Sequence, residues 1–296
     1  MLKKIDSGIL FMLGAALISA LNGALTKILS QDISALEIVF FRNLIGIFLI
    51  LYTLKHTAPK LTGGKIHLLF TRGLFGFMAM ILFFYTITVI PLGEAIALNK
   101  TSPFFVTILA FFLLKEGLSS RVVFALLVGF LGTVLITKPF AMSFSYVHLL
   151  GILGGFFAAA AYTTIKKIKD IYDSRIIVLS FVSVGTLFPA LLFLLAPYLH
   201  LPEYLRFLFP EFIVPVGMRI WLLIIVMAII STLSQWLLTK AYSAKNLSVI
   251  GVISYTNIPF AIGFGAMLGD AFPDTLTFIG ILLIVTGGVL VSKKSK

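Results

Sequence analysis

The sequence predicts an all-α membrane protein of ten transmembrane helices, and three observations lead to this fold class. Hydrophobic residues make up 60% of the 296 residues and charged residues only 11%, with a mean hydropathy of +1.12; soluble domains carry about 25% charged residues. Apolar stretches of spanning length, about 20 residues each, follow one another from residue 8 to residue 292. The basic residues lie mostly in short runs between these stretches. Ten spans of this length occupy about 200 residues, which leaves no room for a soluble catalytic domain.

The first five spans are predicted from apolar runs with short connections. The N-terminal run has no small-residue cleavage site after a short apolar core, so we interpret it as a permanent span and not as a signal peptide. The second and fourth runs each contain one basic residue, Arg42 and Lys100. The five predicted spans cover residues 8–29, 35–54, 68–90, 92–114 and 120–137.

The other five spans follow from the same pattern. The ninth run resembles the fourth, because each carries a proline after a polar cluster, Pro259 and Pro103 respectively. These five spans cover residues 147–168, 176–196, 220–240, 248–268 and 275–292.

The Lys and Arg residues are distributed unevenly between the two sides of the predicted membrane. With the N-terminus in the cytoplasm, 17 of the 23 fall in cytoplasmic segments, 4 in external segments and 2 within spans. This bias predicts cytoplasmic N- and C-termini in the inner (cytoplasmic) membrane, which requires an even number of spans. The formal net charge of +12 is therefore interpreted as a topology signal, and no nucleic-acid partner is predicted.

The chain also repeats itself. Near its end the first half reads TSPFFVTILAFFLLKEGLSS and the second half reads TNIPFAIGFGAMLGDAFPDT, and an ungapped shift of 156 residues aligns Pro103 with Pro259 and Gly132 with Gly288. We predict two five-span halves, residues 1–142 and 143–296. Because five is an odd number, the halves must be inverted relative to each other, which is common in secondary transporters whose sites lie between the repeats.

The composition disfavours catalysis by thiolates or clustered histidines. The chain has no cysteine and four histidines, and none of the histidines has metal-site spacing such as HxxxH. The segment GFGAMLG lies in an apolar span, and the chain contains no GKS or GKT motif, so a phosphate-binding loop is rejected. We predict no catalytic residue, no metal and no cofactor.

Several motifs make the chain similar to a known family of membrane proteins. Arg42 lies in FFRNLIG, Arg72 begins RGLFGFMAMILFFYTITVIPLGEAIAL, and SPFF and LLKEGLS follow. The whole chain resembles the ten-span EamA branch of the drug/metabolite transporter superfamily, and residues 72–116 are particularly similar to members related to S-adenosylmethionine uptake proteins. The resemblance implies a central site built from spans one, three, four, six, eight and nine. Members move amino acids, nucleotide sugars, S-adenosylmethionine and other metabolites.

Two cations within spans are candidate substrate ligands, because an ionisable group at membrane depth is costly unless it faces water or a partner. Lys100 is predicted to face a cavity; the alternatives are pairing with Glu94 or snorkelling to the interface. Arg42 either binds substrate or forms a structural ion pair with Glu37, five residues earlier.

Polar residues precede both mid-span prolines. A proline removes one backbone donor and interrupts the helix, and such interruptions in both halves indicate a transporter's site; the alternative is a pair of structural kinks. The predicted substrate-binding set adds three residues from other spans, although each alone is more typical of packing. The set, besides Arg42 and Lys100, is Asn22, Tyr85, Asn99, Thr101, Ser102, Tyr162, Tyr255, Thr256 and Asn257.

Glu94 is the candidate coupling residue. A buried carboxylate has a raised pKa and can carry protons. Its position in the first turn after Pro91 favours the alternative, an exposed carboxylate stabilised by the helix dipole.

The function predicted from these observations is secondary transport of a small polar metabolite by alternating access. Lys100 and Arg42 favour a carboxylate or phosphate on the substrate, such as an amino acid or an S-adenosylmethionine-like molecule. A passive channel or a non-transporting membrane protein is the alternative, and an intramembrane enzyme is disfavoured by the absence of cysteine and of a mid-span histidine. The predicted partners are a small-molecule substrate and the lipid bilayer, with a homodimer left open.

Overall fold

A computed structural model describes residues 7–59, 63–137, 145–198, 202–244, 247–270 and 274–292. Within these ranges the chain forms twelve α-helices and two short 3-10 segments. The helices are α1 (Ser7–Leu29), α2 (Ala35–His56), α3 (Ile66–Val89), α4 (Leu92–Asn99), α5 (Ser102–Leu114), α6 (Ser120–Thr137), α7 (Tyr146–Ile168), α8 (Ser174–Leu195), α9 (Met218–Ala244), α10 (Leu247–Ser254), α11 (Asn257–Met267) and α12 (Thr275–Ser292).

The helices form a multi-pass membrane bundle. Eight helical segments of the described chain are long and apolar enough to cross a membrane, counting α4 with α5 and α10 with α11 as single spans; α6 and α12 add two shorter apolar helices. Large apolar side chains on the outside, such as Phe48, Phe112 and Leu194, are more than 60% exposed, which suits contact with lipid. The ten predicted spans therefore match the helices, although the predicted boundary at residues 142 and 143 lies outside the described residues.

The fourth and ninth spans are each broken into two helices. The fourth breaks at Lys100 and Thr101, and the ninth at Tyr255 and Thr256. Pro103 occupies the first turn of α5, where its missing N–H cannot bond back across the break. The predicted interruptions are present, and they lie two to four residues before the prolines.

The bundle pairs helices from the two halves of the chain. α3 packs on α7, α1 packs on α9, α2 packs on α8, and α6 packs on α12. The broken spans cross each other so that α4 contacts α11 and α5 contacts α10. The two breaks consequently lie among α1, α3, α7 and α9.

Glycines permit the closest helix approaches. At the α6–α12 contact, a Cβ on Gly132 would lie 2.6 Å from the carbonyl oxygen of Gly280, and a Cβ on Gly280 would lie 2.7 Å from that of Gly132. On α7, a Cβ on Gly155 would lie 3.0 Å from the carbonyl oxygen of Asn99 and would also meet Thr101. Gly155 therefore lets α7 pack directly against the break in the fourth span, as small residues do in membrane bundles.

Candidate functional site

A cavity of about 90 Å³ lies at the crossing of the broken spans. Side chains from α1, α2, α3, α7, α8, α9 and α11 line it, together with the C-terminal end of α4 and the break that follows. Its polar lining residues are Ser19, Asn22, Arg42, Arg72, Asn99, Lys100, Tyr162, Gln235 and Asn257.

Three cations line this cavity, and no Asp or Glu is among its lining residues in the described chain. Arg42 and Arg72 are 4% and 1% exposed. Arg42 Cζ lies 5.3 Å from the ring centroid of Phe84, and Arg72 Cζ lies 4.8 Å from that of Phe181. Both distances are within cation–π range, so each guanidinium is held against an aromatic face.

The cations lack carboxylate partners among the described residues. Neither Arg42, Arg72 nor Lys100 takes part in an ion pair there. Arg72 Nη2 has a 3.5 Å contact with Gln235 Oε1, which is long for a hydrogen bond. The buried Nε atoms of both arginines have no hydrogen-bond partner.

Gly76 leaves room for the guanidinium of Arg72. It lies one helical turn after Arg72 on α3, and a Cβ at this position would meet Arg72 Nη1 and the ring of Phe181. A side chain here would therefore displace the guanidinium from its ring.

The neutral polar residues of the cavity are fixed by contacts with other spans. Asn22 Oδ1 accepts a hydrogen bond from Ser231 Oγ at 2.6 Å, and Asn257 Nδ2 donates to the carbonyl of Ala16 at 2.6 Å. The ring of Tyr162 stacks on Tyr242 with centroids 4.3 Å apart. These contacts hold the cavity wall in one arrangement.

Six of the eleven predicted substrate-binding residues line the cavity, and five lie elsewhere. The six are Asn22, Arg42, Asn99, Lys100, Tyr162 and Asn257. Thr101 and Thr256 each donate to a carbonyl three residues earlier, and Ser102 is buried outside the lining. Both threonines thus satisfy the backbone at the breaks.

The two remaining tyrosines lie outside the cavity lining. The ring of Tyr255 packs on α6, where a Cβ on Gly129 would lie 2.7 Å from it. The hydroxyls of Tyr85 and Tyr146 are 2.9 Å apart, and the ring of Tyr85 stacks on Phe207 at 4.0 Å.

Glu94 is buried, so the predicted exposed carboxylate is wrong. It is 8% exposed, and its Oε1 lies 3.1 Å from His148 Nε2. Because His148 Nδ1 accepts from the backbone N–H of Ser145 at 3.1 Å, this network assigns the ring proton to Nε2, which donates to Glu94. The alternative pairing of Glu94 with Lys100 is likewise wrong.

Glu37 does not pair with Arg42, so the hypothesis of that ion pair is wrong. Glu37 forms a capping box with Ser34 at the start of α2, and its Oε1 accepts from the backbone N–H of Ile213 at 2.7 Å. Its carboxylate is thereby occupied at the helix end, where the helix dipole favours it.

Arg72, Gln235 and Ser19 belong to the cavity but not to the predicted site. Arg72 is one of the 17 basic residues counted as cytoplasmic, although the predicted span 68–90 contains it, and it lies nearly two turns inside α3. With Arg72 in a span, the positive bias of the cytoplasmic segments is one residue smaller and keeps its direction. The small residues Gly73 and Gly76 that follow Arg72 are the signal that could have indicated a packed position.

The described residues contain no group of three or more His, Cys, Asp or Glu side chains that could hold a metal ion. The cavity offers hydrogen-bond donors, three positive charges and aromatic faces, which is a setting for binding an anion.

The chain is similar to a family of transporters and to individual transporters of that kind. The model of the EamA-like transporter family matches residues 6–138. The chain is 32% identical to the pseudopaline exporter CntI of Pseudomonas aeruginosa over 296 residues, which cover 100% of this chain and 99% of that protein. It is 25% identical to the S-adenosylmethionine uptake transporter of Rickettsia conorii over 296 residues, covering 96% and 92%.

Two further similarities concern a shorter match and a solved structure. A riboflavin transporter of Vibrio cholerae is 29% identical over 196 residues, 66% of this chain and 61% of that protein. A chain in a solved crystal structure superposes with a TM-score of 0.75 at 19% identity, over 97% of this chain and 99% of that chain. The latter likeness concerns the fold alone.

Proposed function

We propose, from the premise that this chain belongs to the EamA-like transporter family of the drug/metabolite transporter superfamily, that it moves a small anionic metabolite across the cytoplasmic membrane. The observation that carries the proposal is the set of Arg42, Arg72 and Lys100 around one cavity with no lining carboxylate. Its relatives are named transporters of small molecules, and the substrate would carry a carboxylate or a phosphate.

The charge of the cavity argues for an anionic substrate. A buried charge that lacks a partner costs several kcal/mol in a protein interior, and ionisable residues in spans commonly mark substrate pathways. Three such cations within one bundle would persist only if a ligand or water compensates them for part of the transport cycle. A carboxylate or phosphate accepts the planar pair of hydrogen bonds that a guanidinium donates.

Alternating access between two inverted halves is the proposed mechanism, and the helix packing supports it. If α1 through α6 are matched in order with α7 through α12, each main contact has a counterpart. The packing of α3 on α7 corresponds to that of α9 on α1, and α3 on α8 corresponds to α9 on α2. The packing of α5 on α7 likewise corresponds to that of α11 on α1. Such pairs are expected when two repeats enclose a site at the midplane.

Glu94 remains the proposed coupling residue. Its buried carboxylate lies 3.1 Å from His148, so the pair joins α4, the first half of a broken span, to α7. A proton taken up by this pair would alter the contact between the two helices, which links protonation to movement. Cytoplasmic termini and the inner membrane remain part of the proposal on the basis of the Lys and Arg distribution.

A passive channel or a non-transporting membrane protein is the alternative. A channel would equilibrate its solute without accumulating it, so an energised accumulation assay separates the two classes. We propose no catalytic role and no cofactor for the chain.

The test is a reconstitution experiment with an unbiased solute mixture. Purified protein in liposomes is incubated with a small-molecule cell extract with and without a pH gradient, and retained metabolites are quantified by mass spectrometry against protein-free liposomes. Solute is supplied outside in one arm and loaded inside in the other, because the relatives are named for both export and uptake.

A few anionic metabolites should move in the wild type, and an uncoupler should abolish their accumulation. Lys100→Gln should abolish movement, while Lys55→Gln, which removes an exposed charge at the end of α2, should not. Equilibration without accumulation would indicate a channel, and movement of only neutral or cationic solutes would contradict the proposal.

A further inference from the structure

We infer that the transported molecule carries at least two anionic groups and that Arg72 binds one of them. The inference rests on the proposed function, because it assumes that the cavity is the transport site. It adds the number of anionic groups on the substrate and names Arg72 as a residue that binds one of them.

The first argument is the balance of charge in the cavity. Arg42, Arg72 and Lys100 contribute three formal positive charges, and no described acidic residue lines the wall or forms an ion pair with them. A monoanion would leave two of these cations without compensation in a membrane interior, where an unpaired charge is expensive. A molecule with two or three anionic groups matches the charge of the cavity.

The second argument is how the two guanidiniums are held. They come from different helices, α2 and α3, and are held against different rings, Phe84 and Phe181. Each Nε is buried without a hydrogen-bond partner. A ring covers one face of a guanidinium and leaves its N–H edge for a planar acceptor such as a carboxylate. Two separately mounted guanidiniums therefore suit two anionic groups.

The third argument is the space and the hydrogen-bond partners around the Arg72 side chain. The absence of a side chain at Gly76 makes space for the guanidinium, and Gln235 offers only a long contact at 3.5 Å. If Arg72 only held helices together, we would expect short hydrogen bonds to a neighbouring span, and the described residues supply none. The space left by Gly76 and the N–H groups of Arg72 that lack a short hydrogen bond indicate that this guanidinium binds a ligand.

The wall of the cavity also has an apolar part. Met12, Met80, Phe83 and Leu238 line the same cavity as the cations. A substrate whose anionic groups are joined by a carbon framework would meet both kinds of surface, as small-molecule sites commonly require.

The experiment uses simple anions as probes, so it does not depend on knowing the substrate. Thermal unfolding of the detergent-purified full chain is measured across concentrations of chloride, propionate, succinate, sulfate and tricarballylate at one matched ionic strength. A ligand of the folded state raises stability according to its dissociation constant, which gives an affinity for each probe. The proteins compared are wild type, Arg72→Gln, Arg72→Lys and the matched control Arg219→Gln, since Arg219 is exposed at the start of α9.

Succinate or tricarballylate should bind the wild type at least tenfold more tightly than propionate. Arg72→Gln should reduce this preference at least fivefold, Arg72→Lys should restore part of it, and Arg219→Gln should leave it unchanged. The same affinity for propionate and the di- and tricarboxylates would overturn the inference, as would a preference that survives Arg72→Gln; either result leaves the proposed anion transporter standing. No stabilisation by any of the anions would contradict the anionic site of the proposed function as well.

Discussion

Asp270 and Glu116 have the same structural role at opposite ends of the two broken spans. Asp270 Oδ2 accepts a hydrogen bond from the backbone N–H of Leu92 at 3.3 Å, and Glu116 Oε2 accepts one from that of Leu247 at 3.2 Å. Each carboxylate follows the second half of one broken span and binds the first residue of the other. The two spans therefore run antiparallel, and a carboxylate stabilises the positive end of each leading half-helix.

Asp270 also forms an ion pair with Lys27 at 2.6 Å, so its side chain joins α1, α4 and the end of α11. We expect Asp270→Ala to loosen this end of the bundle, because it removes both the cap and the ion pair. The effect on stability should be modest, about 1 kcal/mol, since loss of a capping carboxylate has that size and the pair is partly exposed.

The measurement for Asp270 is access to the cavity. The chain has no cysteine, so Ser19→Cys can be labelled alone in spheroplasts with a membrane-impermeant thiol reagent added outside. Adding Asp270→Ala should raise the labelling rate at least threefold. Asp170→Ala is the matched control, because its pair with Lys169 is long, at 3.6 Å, and Asp170 is 82% exposed. Equal labelling rates with and without Asp270→Ala would contradict the expectation that the contacts of Asp270 restrict access to the cavity.

Lys100 should matter for transport and not for folding. Because it lines the cavity and forms no ion pair with a described residue, Lys100→Ala should leave the melting temperature unchanged or raise it, since an uncompensated charge destabilises. Transport of the anions found by reconstitution should fall at least tenfold. A normal transport rate in well-folded Lys100→Ala protein would contradict the role of this cation.

Arg42 should behave in the same way as Lys100. Its removal leaves no carboxylate unpaired, because Glu37 is bound by the backbone N–H groups of Ser34 and Ile213. We therefore expect Arg42→Ala to reduce transport without reducing folded yield, measured by size-exclusion chromatography in detergent. A collapse of yield would indicate that Arg42 has a structural role, such as its contact with the ring of Phe84.

Gly132 should tolerate no side chain at the α6–α12 contact. A Cβ there would lie 2.6 Å from the carbonyl oxygen of Gly280, and backbone cannot move aside as a flexible side chain can. Gly132→Ala should therefore destabilise by about 1–3 kcal/mol, which is typical of overpacking. Gly263→Ala on α11 is the control, because no atom lies within 4 Å of the added Cβ and alanine favours helices. Equal melting temperatures for the two variants would contradict the close packing of α6 on α12 at Gly132.

Glu94 should affect coupling and not binding. Glu94→Gln keeps an acceptor for the Nε2 proton of His148, so the contact between α4 and α7 can persist, but the side chain no longer titrates. Accumulation driven by a pH gradient should be lost, while exchange of internal for external solute at uniform pH should continue. If accumulation in Glu94→Gln liposomes still follows the pH gradient, Glu94 is not the coupling residue.

The sequence predicted the helices well because membrane spans are set by hydrophobic length, a local property. Predicted spans such as 147–168 match observed helices such as Tyr146–Ile168 to about one residue. The cavity was predicted less well because its membership depends on packing between distant spans. Arg72 was missed because it lies near the start of the predicted span 68–90 and was counted as a cytoplasmic charge, whereas the residues that bury it, Phe181 and Gln235, lie on distant helices. The burial of Glu94 was missed because its partner His148 is 54 residues away in the sequence.

The last prediction distinguishes the two sides of each break. Asn99 and Asn257 line the cavity, and Ser102 and Tyr255 do not. Asn257 is as buried as Ser102, at 3% against 2% exposed, so the cavity and not surface exposure separates the two pairs. Cysteines at Asn99 and Asn257 should therefore react with small aqueous thiol reagents, because water can reach a cavity that a substrate must enter. Cysteines at Ser102 and Tyr255 should react at least tenfold more slowly, and this contrast serves as the internal control.

A substrate or probe anion that occupies the cavity should protect both reactive positions, although they lie on opposite halves of the chain. Protection of one position but not the other would mean that the two breaks do not share one site. Equal reactivity at all four positions, in variants that still fold and transport, would mean that the breaks are structural kinks open to water on every side.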